Sequence, residues 1–138
     1  MGTWGLGTFE DDIACDWLED LHDSDPIAFF TACLDLEGLE ELDYLACIGV
    51  VCTSEILCAH ATEPRHDLPE SANQWLIQNR ELALSGFLPR CIDGLRRVAD
   101  PKSEMSMRWE DGAENFVAWK NHISDLQQRL QSVIAGNP

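Results

Sequence analysis

The first 64 of the 138 residues contain no lysine and no arginine. Ahead of Arg65, the first basic side chain, stand 15 aspartates and glutamates, whereas residues 65–138 carry 10 acidic and 9 basic side chains. The formal net charge of −16 therefore arises almost wholly in the N-terminal half. A surface of that sign repels phosphate backbones and anionic headgroups, which argues against nucleic acid and membrane as its partners.

Other absences narrow the class further. No apolar run approaches the roughly 20 residues needed to span a bilayer, and the N-terminus lacks the basic flank and apolar stretch of a secretory signal. The expected location is the cytoplasm. No CxxC pair is present, so Cys15, Cys33, Cys47, Cys52, Cys58 and Cys91 are read as reduced, buried thiols filling apolar helix faces. Alternation of period two is missing over any useful length, as are tandem repeats and low-complexity linkers.

What is present is a series of helices. Apolar Ile13, Ala14, Trp17, Leu18 and Leu21 recur at helical spacing to about His22. Asp12, Asp16, Glu19, Asp20 and Asp23 lie mostly on the opposite face. "TFED" suits a capping box, with Asp11 in the place of the usual Glu or Gln. Asp25-Pro26 reads as a cap and first-turn proline launching "IAFFTACLDL", with Gly38 as its stop. A long apolar helix is expected from about Glu41 to Ala61, in which Glu55 is oddly placed. Pro69 begins a short helix through Trp75, another runs from about Glu81 to Ala99 with a break near Gly86 and Pro89, and a last one runs from about Gly112 to Ala135. In that last helix Phe116, Trp119, Ile123, Leu126, Leu130 and Val133 form a seam, suited to the chain's own core or to a second copy, so monomer and homodimer both stay open. The expectation is one all-α domain over residues 1–138, a bundle of five to six helices with an N-terminal arm packed on it.

No constellation selects a catalytic centre. The glycines of "GTWGLG" lack a preceding strand and a nearby lysine, and acidic side chains follow them, so a phosphate loop is not expected. Acids one turn apart on a single helix face cannot converge six oxygens on a cation. Cys58, His60 and His66, with Glu55, have the chemistry of zinc ligands or of a nucleophile pair, but Cys58 and His60, two apart on a helix, face different ways. Neither metal nor cofactor is expected.

Three stretches, "WGLGTFEDDIACDWL", "LPESANQWL" and "SEMSMRWEDGAENFVAWKNHISDLQQRL", resemble the bacterial domain-of-unknown-function family 4259 over nearly the whole length. Trp4, Gly5, Gly7, Phe9, Glu10, Asp12, Asp16, Trp17 and Leu18 match its opening pattern, while Asp11 replaces the family's usual Asn. The resemblance implies a small helical bacterial protein and carries no activity. Trp4, Gly5, Gly7, Phe9 and Trp17 are expected to form a structural clasp, with Trp4 buried. Asp12, Asp16, Glu19, Asp20 and Asp23 are the expected contact surface for a basic protein, in the manner of immunity or inhibitor proteins. A carboxylate-dependent hydrolase, metal-assisted or not, is the alternative.

Overall fold

The computed structural model describes residues 12–62, 68–111 and 115–136. These form seven α-helices and one short 3-10 turn, with no strand among the described residues. The all-helical bundle stands; the count of five to six helices was too low. The opening arm with Trp4, Gly5, Gly7 and Phe9, and the capping box after it, lie outside the described residues.

Helix α1 (Asp12–His22) buries Ala14, Trp17, Leu18 and Leu21, the face its periodicity assigns to the interior. Helix α2 (Pro26–Cys33) starts where local chemistry directs: the Asp25 carboxylate accepts a hydrogen bond from the Ala28 amide at 3.0 Å, and Pro26 occupies the first turn, where its missing N–H costs nothing. The helix ends at Cys33, before Gly38, whose φ of +82° lies in the loop beyond. Such a backbone favours glycine.

Helix α3 (Tyr44–Ala61) begins three residues later than its apolar pattern suggests, because the Asp43 carboxylate caps it by accepting from the Ala46 amide at 2.8 Å. Every side chain from Cys47 to Ala59 is buried. At 18 residues and a mean hydropathy of 1.6 it is long and apolar enough to cross a bilayer, contrary to the sequence reading, yet 78% of it is buried against the rest of the chain.

Helix α4 (Glu70–Gln78) follows Pro69. The long helix expected up to Ala99 is instead a loop, a 3-10 turn at Ser85–Phe87 and helix α5 (Leu88–Ala99), with Pro89 in the first turn of α5. Gly94 lies where α5 packs against α3. A Cβ there would sit 2.8 Å from Val50 Cγ1, so glycine allows the two backbones to approach.

Helix α6 (Glu104–Asp111) was not anticipated. Its start is organised by buried Ser103, whose hydroxyl donates to the Val98 carbonyl at 2.6 Å and accepts from the Ser106 amide at 3.0 Å, joining the end of α5 to the beginning of α6. Helix α7 (Phe116–Ile134) turns Trp119, Ile123, Leu126 and Leu130 into the bundle, where it packs on α3, α5 and α6. The seam is thus occupied within the chain. Trp109, Trp119 and Phe116 stack along its first turns with ring centroids 6.2 Å apart.

Helix α3 touches each of the other six helices, which makes it the axis of the core. Each fully buried Leu, Ile or Phe around it stabilises the fold by about 1.5–3 kcal/mol relative to exposure.

Candidate functional site

The faces α1 buries decide which side chains it leaves in water. Asp12, Asp16, Glu19, Asp20 and Asp23 are all exposed, and none of them makes an ion pair among the described residues. His22 at the end of the helix is tied to α4, its Nε2 bonded to the Ser71 carbonyl at 2.9 Å. The acidic character continues beyond α1. Asp25, Asp35, Glu37, Glu40, Glu41 and Asp43 are exposed as well, so Glu55 is the one buried acid among residues 12–62.

A basic side chain does reach the loop between α2 and α3, but it does not neutralise these acids. Arg97 of α5 donates to the backbone carbonyls of Leu36, at 3.0 Å, and of Leu39. It pins the loop while leaving its carboxylates to solvent.

Glu55, 3% exposed in the middle of α3, is explained by α7. Arg129 donates to its Oε1 at 2.9 Å, and His122, two turns earlier on α7, places Nε2 3.7 Å from Oε2. The same guanidinium donates to Asp125 Oδ2 at 3.0 Å and reaches Cys58 Sγ at 3.8 Å. Burial pulls the Arg129 guanidinium down, but the adjacent Glu55 carboxylate outweighs this and holds it above its ordinary value. Arginine suits the position because its planar fork can serve several acceptors while remaining charged.

Cys58, His60 and His66 are not brought together as a ligand set. Cys58 faces Arg129 on α7, whereas His60 Nε2 bonds to the Asn79 carbonyl, 2.9 Å away at the end of α4. His66 lies outside the described residues. Among the described residues no three His, Cys, Asp or Glu side chains converge as a metal site would require.

The sequence reading missed His122 and Arg129. Their spacing of seven, beside the apolar seam of α7, was the available signal, since residues two turns apart share a helix face. Trp17 is buried as expected, its ring 5.3 Å from that of Phe29 and its N–H donating to Cys33 Sγ at 3.4 Å.

All six cysteines are free thiols, but Cys15 and Cys33 are only partly buried, because each lies at the edge of its helix's inward face. Cys91 is wholly enclosed, and burial pushes its thiol up to about 11 from an ordinary value near 9. A buried thiol therefore stays protonated where an unfolded one ionises. Its contribution to stability is complete below pH 9 and is lost as pH rises towards 11, by on the order of 2–3 kcal/mol. Urea midpoints measured across that window should fall more steeply for the natural chain than for Cys91→Ala. Equal slopes would contradict this account.

The model of the family described as Domain of unknown function (DUF4259) matches residues 2–122. That span takes in the acidic helix, Glu55 and His122 and stops short of Asp125 and Arg129. No curated protein and no solved structure matches the chain.

Proposed function

We propose that this chain, which belongs to the DUF4259 family, is a non-enzymatic protein-binding module, immunity- or inhibitor-like, whose acidic N-terminal half meets a basic partner in the cytoplasm. The observation that carries the proposal is the face of α1: five exposed carboxylates on about three turns, with no cation among the described residues within ion-pairing distance. A fold that maintains an unneutralised like-charge face accepts self-repulsion on it. A cationic surface docking there would relieve that repulsion and be drawn in by it.

The alternative of a carboxylate-dependent hydrolase has less support. Such chemistry needs two carboxylates facing a substrate, one of them able to carry a proton. Glu55 and Asp125, the two acids that Arg129 holds on either side of it, each give an oxygen to its guanidinium.

Charges at an exposed face act mainly on encounter, so the test is kinetic. A partner captured from the source cell and identified by mass spectrometry is mixed by stopped flow with the natural chain and with a variant carrying Asp12→Asn, Asp16→Asn, Glu19→Gln, Asp20→Asn and Asp23→Asn. Association should slow by about tenfold or more at low salt, with dissociation much less affected. Physiological salt should slow the natural chain in the same direction, as the screening length falls to about 8 Å. A folded variant that binds at an unchanged, salt-insensitive rate would refute the proposal.

A further inference from the structure

His22 and His60 each meet a backbone carbonyl at 2.9 Å. Among the described residues, His122 is the histidine that stands against a carboxylate. Its Nε2 lies 3.7 Å from Glu55 Oε2, and the two side chains are 14% and 3% exposed. At that separation a neutral ring forms no hydrogen bond with the carboxylate, whereas a charged one is attracted through a region that water and salt screen poorly.

The groups around the ring set the sign of its response to pH. Helix α3 brings Glu55 and Cys58, and α7 itself brings Asp125 and Arg129. Of the other helices packed on α7, α5 has its buried titratable Cys91 bonded to Ser54 and protonated up to about pH 11, and α6 meets α7 through Trp109 against Trp119. Arg129 bonds one oxygen of each carboxylate, so two acids share one guanidinium. While Cys58 is a thiol the group holds one negative charge in excess, which a proton on His122 cancels. Burial opposes charging the ring, but a carboxylate facing it and a second one three residues along the same helix favour the charge more strongly.

We infer that His122 is a proton-operated latch between α7 and α3: protonated, it closes on Glu55 Oε2 as a second cation beside Arg129, and neutral, it releases that oxygen. The latch is independent of the acidic face of α1. A proton held more tightly in the folded than in the unfolded chain stabilises the fold fully below the ordinary histidine value of about 6.5, and that gain is lost as pH rises through the higher folded value. Helix α7 is therefore fastened more firmly in mild acid than in mild base.

Hydrogen exchange of the amides from Ile123 to Leu130, expressed as protection over the unfolded chain, reads the latch directly. The ratio of protection at about pH 5.5 to that at about pH 8 should be about threefold to tenfold larger for the natural chain than for His122→Gln, since a tenfold difference in proton affinity between folded and unfolded chains is a tenfold change in the folding equilibrium. Glu55→Gln, which removes the charge that the proton answers, should lower the ratio as far, while His22→Gln should leave it within about twofold of the natural value. Imidazole resonances of the natural chain, titrated folded and in urea, make the same comparison without substitution: His122 should keep its proton to higher pH when folded. Equal ratios for the natural chain and His122→Gln, an undiminished ratio in Glu55→Gln, or a folded His122 that loses its proton no later than the unfolded one would each overturn the inference.

Discussion

Arg129→Met should destabilise the fold by about 3–5 kcal/mol, a large share of the roughly 5–15 kcal/mol that holds a domain of this size together. The loss is not the value of one ion pair. Methionine can fill the space of the arginine stem, but it leaves the Glu55 carboxylate, 3% exposed on the central helix, without its 2.9 Å guanidinium partner. His122 at 3.7 Å is too far to make up the lost hydrogen bond from where it stands. Urea unfolding followed by tryptophan emission measures the effect. The double variant Glu55→Met with Arg129→Met removes the buried charge together with its partner and should recover part of the loss. If the double variant is as unstable as the sum of the two single changes, the two residues are not coupled and the pair is not what places α7 on α3.

The second large effect belongs to Phe30, which is wholly buried where α2, α4 and the 3-10 turn meet. Its ring stands edge-on to Trp75 at 5.7 Å and to Phe87 at 6.0 Å, with Phe29 at 6.3 Å. Phe30→Ala should cost about 3–5 kcal/mol, combining the lost transfer energy with a cavity that three rigid rings cannot close, whereas Phe30→Leu should cost less than half as much. The Trp75 emission should shift in the alanine variant while it is still folded. A cost under about 1 kcal/mol would mean that α2 contributes little to the cooperative unit.

Helix α2 is the shortest route from sequence to structure in this chain. Asp25 and Pro26 dictate its first turn through chemistry confined to three neighbouring residues. The same locality makes the inward faces of α1 and α7 legible: Trp17, Leu18 and Leu21, and Trp119, Ile123, Leu126 and Leu130, each recur at a period that only a helix brings to one side. Exposure of the acids on α1 follows as the complement of that face. Composition alone sets the charge imbalance, and with it the sign of any partner the surface attracts.

Tertiary structure decided the rest. Glu55 in an apolar helix signals that a cation must stand nearby, but its partner lies 74 residues away, and nothing around Glu55 itself says that the flank of the α7 seam is what will cross it. Helix α6 spans only eight residues, too few turns for a period to announce itself, and lacks the Asp-Pro start that marks α2. It forms where Ser103 can satisfy both the carbonyl of Val98 behind it and the amide of Ser106 ahead of it, a geometry that exists only once α5 has ended there. Cys58 and His60, two residues apart, acquire unrelated partners because they project to nearly opposite sides of α3, which face α7 for the one and the end of α4 for the other. Local periodicity specifies which face of a helix turns inward; which polar atom it meets there depends on how helices far apart in the chain come to cross.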